Sequence, residues 1–324
     1  MGNLFQNPVW PDYFADPFIL RWHGRYYAYG TGESAGNVPA GLPVFPLLSS
    51  EDLVRWEEKG GVLLAREADG PRAYWAPEVA ERDGVFYLYY SSALAGRDED
   101  HRLQVATASH PTGPFTPRGA VLPESEGFSI DAHPFCDPRD GAWYLFFAKD
   151  YFDERVGTGL AVVPLTPDLL RAAAPSRPVL RAQHDWHIYQ RNRTIYGREW
   201  PAWHTVEGPF VVFQTGRYWC FYSGGNWQTR DYGVSYGVAH HPLGPWHHGA
   251  GPDARVLRER PGEVLGPGHN SVILAPDGRT HLIVYHAWDA AATARRMCLD
   301  PLVWSEEGPR CAGPSITPQI MPAA

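Results

Sequence analysis

A short pattern recurs five times along the chain and constrains the fold more than any other feature. Each copy has an apolar strand-like run, a turn that contains glycine, and a second run rich in aromatic or β-branched residues. The clearest copy is EGPFVVFQTGRYWCFYSGG, residues 207–225. The turn glycines of the five copies are Gly24, Gly84, Gly141, Gly216 and Gly278. Five hairpins of one kind predict a closed ring of repeated units.

The spacing of these glycines favours a β-propeller. Neighbouring copies lie 57 to 75 residues apart, somewhat more than the roughly 40 to 50 residues of common propeller repeats. Each interval holds further strand-like segments, so each copy is interpreted as the inner hairpin of a four-stranded blade. The sequence therefore predicts an all-β fold, a five-bladed β-propeller that occupies 1–324 as one domain. The predicted blades span about 16–60, 75–119, 129–180, 207–258 and 266–320. An open β-sandwich is the alternative, but a sandwich has no reason to repeat at this period.

One segment interrupts the repeat and accounts for the longest interval. Residues 183–203, QHDWHIYQRNRTIYGREWPAW, are rich in aromatic and charged side chains. Long loops on a rigid scaffold are usually functional, and this aromatic content argues against disorder. We expect an insertion loop that forms one wall of a binding site, with a hydrophobic cover over a blade edge as the alternative.

Composition excludes several functional classes. The 28 basic and 36 acidic residues give a net charge of -8, so no nucleic-acid partner is expected. Four cysteines show no metal-binding spacing. No run of 18 apolar residues occurs, and the first residues lack the features of a signal peptide. We therefore expect no membrane association and a cytoplasmic location for the chain as written, or secretion if a leader was removed.

Acidic residues mark the start of several inner strands. In a propeller these positions point toward the central axis and converge on one cavity. The position holds Asp16, Glu78 or its neighbour Trp75, Asp131, Glu207 and His269. Clustered carboxylates repel one another and raise at least one pKa, which a purely structural core would avoid. Their convergence indicates a catalytic site.

Glycoside hydrolysis is the chemistry that needs this set of residues. One carboxylic acid protonates the leaving oxygen, and one carboxylate activates water or attacks the anomeric carbon. Sugar rings bind by stacking on aromatic faces, and the chain has 13 Trp and 17 Tyr. Trp75 is the best candidate for such stacking, with a role in the core as the alternative.

The motifs around these residues resemble, in order, those of glycoside hydrolase family 43. They are Ala15-Asp16-Pro17, Trp75-Ala76-Pro77-Glu78, Ile130-Asp131-Ala132-His133, Glu207-Gly208-Pro209 and Gly266-Pro267-Gly268-His269-Asn270-Ser271. The resemblance spans residues 7 to about 290 and implies a five-bladed propeller that hydrolyses α-L-arabinofuranosides or β-D-xylosides with inversion. It implies that Asp16 is the general base, that Asp131 orients the acid and modulates its pKa, and that Glu207 is the general acid.

The resemblance also implies contacts for substrate and metal. We expect an oligosaccharide substrate to contact Trp75, Glu78, His133, Asn226 and His269. In arabinan-active members the histidine equivalent to His269 lies beside a calcium or other ion in the central channel. Because calcium prefers oxygen ligands, His269 would be at most one ligand among waters. No organic cofactor is expected.

The favoured function is an inverting exo-acting α-L-arabinofuranosidase that releases L-arabinose from α-1,5-linked arabino-oligosaccharides. An endo-arabinanase and a β-xylosidase are alternatives in the same family, because substrate identity rests on analogy. A non-catalytic carbohydrate-binding propeller would not need Asp16, Asp131 and Glu207 together. A retaining, fructan-cleaving propeller is disfavoured because Ala15 precedes Asp16 and Cys136 precedes Asp137-Pro138.

Overall fold

Five antiparallel sheets surround a common axis in the computed structural model of this protein, which describes residues 3–66, 70–249 and 255–323. The sheets are the blades of a five-bladed β-propeller, so the predicted fold class is confirmed. Blades one, two, four and five each contain four strands in sequential order, whereas the sheet of blade three contains six. The first strands of neighbouring blades contact one another and line the axis.

The strands are numbered in chain order. The lead-in and blade one contain β1 (Leu4–Phe5), β2 (Ala15–Trp22), β3 (Arg25–Thr31), β4 (Pro43–Ser50) and β5 (Glu57–Leu64). Blade two contains β6 (Arg72–Arg82), β7 (Val85–Leu94), β8 (Arg102–Ala108) and β9 (Thr116–Ala120). Blade three contains β10 (Ser129–Cys136), β11 (Trp143–Tyr151), β12 (Gly157–Pro164), β13 (Arg177–Pro178), β14 (Ile188–Ile195) and β15 (Arg198–His204).

Blade four contains β16 (Val206–Gln214), β17 (Arg217–Gly224), β18 (Gly233–Ala239) and β19 (His247–His248). Blade five and the C-terminal segment contain β20 (Val264–Leu274), β21 (His281–Asp289), β22 (Arg295–Ser305), β23 (Gly308–Cys311) and β24 (Gln319–Ile320). Three short 3-10 turns, Asp98–Asp100, Glu124–Glu126 and Asp185–His187, are the helical elements of the described residues. No helix in the described part of the chain is long and apolar enough to cross a membrane. Part of the predicted fourth blade, residues 250–254, lies outside the described residues.

Turn chemistry explains why the inner hairpins form where the sequence predicts them. Two consecutive residues with positive φ join the first and second strands at His23-Gly24, Asp83-Gly84 and Thr215-Gly216. Such turns match the right-handed twist of the strands that they connect. Apolar side chains of adjacent blades then pack face to face, as Leu282 and Val284 of blade five do against Ile19 and Leu48 of blade one.

The two ends of the chain meet beside blade five. Strand β1 pairs with β24, and the amide groups of Val9 and Phe14 donate to the carbonyl oxygens of Met297 and Arg295. The lead-in thereby satisfies backbone oxygens along β22, because an exposed strand edge otherwise presents unpaired polar groups.

The segment 183–203 is a β-hairpin and not the predicted loop. A 3-10 turn precedes β14 and β15, which pair with each other around a turn at Tyr196-Gly197, and both turn residues have positive φ. Strand β15 joins blade three through a parallel contact between His204 and Gly157. The alternation of aromatic and charged side chains in this segment reflects a strand pair with two different faces.

A β-bulge near the start of each inner strand turns the chain toward the axis. The register shifts there in all five blades, and one residue of each bulge lies in the left-handed region of backbone conformation. These left-handed residues are Asp16, Ala76, Asp131, Gly208 and His269. The amide group of the left-handed residue does not bond within the strand ladder, so it needs another hydrogen-bond acceptor.

Hydroxyl side chains of the preceding blade supply this acceptor in three cases. The amide group of Ala76 donates to Thr31 Oγ1 at 2.8 Å, that of Asp131 to Ser91 Oγ at 3.1 Å, and that of His269 to Ser223 Oγ at 2.7 Å. The blades are therefore joined by hydrogen bonds at the positions that face the axis.

We predict that Gly157→Ala separates the hairpin from blade three and destabilises the protein by about 3 kcal/mol or more. Gly157 has a φ of +136°, and an added Cβ would lie 2.0 Å from the carbonyl oxygen of His204. Gly24→Ala is the matched control, because Gly24 has a φ of +78° but no atom within 4 Å of the added Cβ. Its cost is backbone strain alone, about 1 to 2 kcal/mol. Chemical denaturation measures both, and equal losses would show that the contact with His204 does not matter.

Candidate active site

A cavity of about 380 Å³ opens where the five inner strands begin. Every blade contributes side chains to its lining. Of the predicted site residues, the cavity contains Asp16, Trp75, Asp131, Glu207 and His269. The structure therefore brings these five residues together, and the remaining predicted residues lie outside the cavity lining.

Asp16 is buried between basic groups of blade five. Its Oδ1 atom lies 3.4 Å from Arg295 Nη1, 3.4 Å from His269 Nδ1 and 3.2 Å from His286 Nδ1. Burial alone would raise the pKa of Asp16, but His269, Arg295 and His286 outweigh it and hold the pKa well below its usual range. Burial lowers the pKa of both histidines, so Arg295 is the lasting positive charge. Asp16 is therefore ionised at neutral pH.

Asp131 and Glu207 form a coupled acidic pair. Burial and the charge of Glu207 raise the pKa of Asp131 well above its usual range. Burial also raises the pKa of Glu207 to about 7, although its hydrogen bond from the Tyr232 hydroxyl, 2.8 Å long, favours the charged form. Such a pair titrates as a unit, so the site retains a transferable proton near neutral pH.

Asp131 and Glu207 do not occupy equivalent positions of their bulges, contrary to the prediction. In blade four the left-handed residue is Gly208, whose amide group donates to Asp131 Oδ2 at 3.0 Å. Glu207 precedes it and corresponds to Trp75 of blade two, where Ala76 is left-handed. The repeat could not reveal this offset, because a bulge changes side-chain direction without changing the hairpin pattern.

Glu78 and His133 contact each other below the cavity instead of lining it. His133 Nδ1 lies 2.7 Å from Glu78 Oε2, and both side chains are buried. The His133 ring packs against Phe210 with 4.3 Å between ring centroids. Each residue lies two positions beyond the left-handed residue of its own strand, which places it deeper along the axis. This geometry does not support the prediction that they contact substrate.

Asn226 shapes a turn at the cavity's edge and does not line the cavity. Its Nδ2 donates to the carbonyl oxygen of Tyr189 at 3.1 Å, and its Oδ1 accepts the amide proton of Gln228. The neighbours Trp227 and Gln228 are the residues that line the cavity. The position of Asn226 therefore does not support the predicted substrate contact, and its hydrogen bond to Tyr189 ties blade four to the β14–β15 hairpin.

Aromatic side chains form much of the cavity wall. The Trp75 ring stacks on His101 with 3.6 Å between centroids and 18° between planes, so one of its faces is covered. Trp227 packs against Trp288 at 6.1 Å and against the Arg295 guanidinium at 4.3 Å. Flat aromatic surfaces of this kind suit the apolar faces of sugar rings.

The β14–β15 hairpin forms one side of the cavity. Tyr196 at its turn donates to Asp150 Oδ2 of β11 at 2.5 Å, and Arg193 lies over the rings of Tyr189 and Trp203. Burial raises the pKa of Asp150 to about 6. The Tyr196–Asp150 hydrogen bond fixes the hairpin against β11 of the same blade, and this position is consistent with the predicted role as a wall.

Three residues essential to the electrostatics were not predicted. Arg295 lies in β22, Tyr232 precedes β18, and Tyr13 lies in the lead-in, where its hydroxyl accepts from Arg295 Nε and Nη2 at 2.9 and 2.6 Å. All three lie outside the repeated inner hairpin. The burial of Arg295 became visible only in the structure, because the sequence pattern does not distinguish it from the neighbouring Arg296.

A metal site made by protein ligands does not fit the cavity. Within residues 3–66, 70–249 and 255–323 no group of three or more His, Cys, Asp or Glu side chains is arranged to hold an ion. His269 Nδ1 faces Asp16, and calcium prefers several oxygen ligands. The calcium ion expected beside His269 stays an untested prediction, and no chemical step is derived through it.

The cavity combines an ionised carboxylate with a carboxyl pair that holds a proton. Such a combination can activate water on one side of a bound molecule and protonate a leaving group on the other. Comparisons with known proteins agree with this chemistry. The model of the family described as "Glycosyl hydrolases family 43" matches residues 5–309.

Individual relatives are similar over most of their length. The β-D-galactofuranosidase xynD of Aspergillus niger is 27% identical, with 93% of this chain and 83% of that protein covered. The extracellular exo-α-(1→5)-L-arabinofuranosidase of Streptomyces chartreusis is 27% identical, with 84% and 79% covered. The crystal structure of a thermostable family-43 glycoside hydrolase superposes with a TM-score of 0.83 at 30% identity and covers 99% of both chains.

We predict that Glu207→Gln stabilises the protein at neutral pH. Burial raises the pKa of Glu207 from 4.5 to about 7, so the unfolded carboxyl ionises before the folded one. The stability that this group contributes is complete below pH 4.5 and is lost as the pH rises through about 7. The uncharged amide does not ionise, so the gain in stability should grow between pH 4.5 and 7 and reach about 3 kcal/mol.

Thermal denaturation at the two ends of the interval tests this prediction. The exposed Glu306→Gln is the control for removal of a negative charge at the surface. A gain in melting temperature that is the same at both pH values, or is matched by the control, would contradict the proposed effect of burial.

Proposed function

The chain belongs to family 43 of the glycosyl hydrolases, whose members act with inversion, and we propose that it releases terminal L-arabinose from α-1,5-linked arabino-oligosaccharides. The observation that carries this proposal is that ionised Asp16 shares one cavity with a pair, Asp131 and Glu207, whose pKa values are raised, and that the β14–β15 hairpin forms one side of this cavity. A walled pocket suits the end of a chain better than its middle.

The proposed reaction assigns one role to each carboxyl group. Asp16 removes a proton from water, and that water attacks the anomeric carbon as Glu207 protonates the leaving oxygen. Inversion requires room for the water, about 6.5 to 9.5 Å between the two carboxyl groups. Asp131 accepts the amide proton of Gly208, which fixes the backbone beside Glu207 and keeps the acid facing the cavity. Arg295 supports the reaction by keeping Asp16 ionised.

The sugar ring is proposed to lie against Trp75. The side chain presents an aromatic surface within the cavity, while His101 supports it from behind. The hairpin residues Tyr189 and Arg193 then face the same space from blade three. A pocket of about 380 Å³ accommodates a furanose ring together with part of the next unit.

A β-D-galactofuranosidase activity is the second candidate. The relative with that name covers 93% of this chain. β-D-Galactofuranose and α-L-arabinofuranose share the configuration of the ring and differ in the exocyclic chain. A pocket that does not bind the exocyclic hydroxyl discriminates weakly between such sugars, so the two activities can occur on one site.

Early products of linear α-1,5-arabino-oligosaccharides test the proposal. We expect proton NMR to show arabinose before any shorter oligosaccharide from the chain interior, with the β anomer formed first. Parallel tubes contain xylo-oligosaccharides and an alkyl β-D-galactofuranoside. Internal cleavage would indicate an endo-enzyme, and release of xylose or galactose alone would replace the proposed substrate. A first-formed α anomer would contradict inversion.

Variants of the two carboxyl residues test their roles. We predict that Asp16→Asn and Glu207→Gln each lower kcat on oligosaccharides by about 10²- to 10⁴-fold. A nitrophenyl glycoside has a leaving group that departs without a proton, so Glu207→Gln should recover much of its rate on that substrate. Asp16→Asn should not recover, because water activation is still required. Equal losses on both substrates would contradict the assignment of acid and base.

A further inference from the structure

At one position of the repeat, the type of side chain differs in the blades that adjoin the proposed acid and base. This position lies on the second strand of each blade and pairs with the residue just before the left-handed residue of the first strand. Its occupants in blades one to five are Thr31, Ser91, Ala148, Ser223 and His286. We call these five residues the cap ring. Threonine and serine in the cap ring accept the amide proton of the left-handed residue in the next blade, as described above.

Blade three departs from this pattern because Ala148 has no side-chain acceptor. The next left-handed residue, Gly208, donates its amide proton to Asp131 Oδ2 instead. A carboxylate thus replaces the hydroxyl at the junction beside Glu207. This substitution accounts for the position of Asp131, since the backbone of blade four requires an acceptor there.

Blade five departs from the pattern at His286. Its Nδ1 atom lies 3.1 Å from the amide nitrogen of Asp16 and 3.2 Å from Oδ1 of the same residue. As an acceptor, Nδ1 fixes the Asp16 backbone; in the other tautomer, Nδ1–H donates to the carboxylate. A serine or threonine hydroxyl is shorter than imidazole and does not provide the same flat contact with both groups.

The surroundings of His286 hold its ring in one orientation. The side chain is completely buried, and it stacks on Tyr232 with 5.9 Å between centroids and 9° between planes. Its second neighbour is the ring of His269, 6.3 Å away. Tyr232 in turn donates its hydroxyl proton to Glu207. The imidazole therefore packs against the residue that contacts the acid while it contacts the base directly.

We propose that His286 is a positioning residue that fixes Asp16 relative to Glu207. The proposal rests on the proposed function in one respect, the assignment of Asp16 as the base. A displacement of about 1 Å in a reacting group can lower a rate about 10²-fold without preventing substrate binding. Loss of His286 is therefore expected to affect kcat more than KM.

Three substitutions of His286 separate positioning from support of the fold. His286→Ala removes both contacts and should lower kcat by about 10- to 100-fold, with KM within about threefold of wild type. His286→Asn keeps a polar atom at the place of Nδ1 and should recover most of the rate. His286→Ser restores the hydroxyl of the other blades, so it should regain melting temperature while kcat stays low.

Thr31→Val is the matched control for the loss of a hydrogen-bond acceptor in the cap ring. It removes the acceptor of Ala76, a residue without a titratable side chain. We expect it to lower the melting temperature about as much as His286→Ala, with kcat reduced by less than about threefold. Kinetics use the substrate that the wild-type protein cleaves fastest, so the test does not depend on which sugar that is.

A double variant determines whether His286 acts through Asp16. On the Asp16→Asn background, His286→Ala should lower the residual rate by less than about threefold, because the group that it positions has lost its function. A full additional loss, no rescue by His286→Asn, or a kcat of His286→Ala within threefold of wild type would overturn the proposal. Normal activity of Asp16→Asn would instead contradict the proposed function, and the two failures are thus distinguished.

Discussion

The amide group at each bulge is the constraint on which the arrangement around the axis depends. A left-handed residue turns the inner strand toward the cavity, but its amide group leaves the strand ladder and must find an acceptor. A buried amide group without a partner costs about 1 to 3 kcal/mol. Each acceptor belongs to the preceding blade, so the fold and the position of Asp16, Asp131 and His269 have one common cause.

Electrostatics then gives chemically similar residues different protonation states. Asp16 faces a buried arginine, whereas Asp131 is buried within the influence of the charge of Glu207, which accepts a hydrogen bond from Tyr232. Two buried carboxyl groups cannot ionise freely side by side, so their pKa values rise, while a neighbouring cation lowers the third. The different protonation of the proposed base and the proposed acid therefore follows from which blade supplies the neighbouring charges.

The inner hairpins could be predicted because turn glycines and β-prone runs act locally. Asp16 and Asp131 were predicted by the repeat, but Glu207 reaches the same cavity from a different bulge position, and Glu78 lies below it. A shift of one or two positions along the bulge decides whether a side chain lines the cavity or lies below it, and the hydrophobic pattern of the sequence does not specify this shift. Arg295 could not be found in this way, because its contact with Asp16 joins residues 279 positions apart.

The proposed chemistry and the shape of the substrate cavity depend on different parts of the molecule. The residues proposed as acid and base lie on strands that are joined by inter-blade hydrogen bonds at the axis, whereas one side of the cavity is a hairpin attached through Gly157 and Asp150. A change in hairpin length or sequence would alter the space beyond the sugar ring without moving Asp16 or Glu207. The wall can therefore vary independently of the proposed acid and base, which is compatible with the different activities named for two relatives that are each 27% identical to this chain.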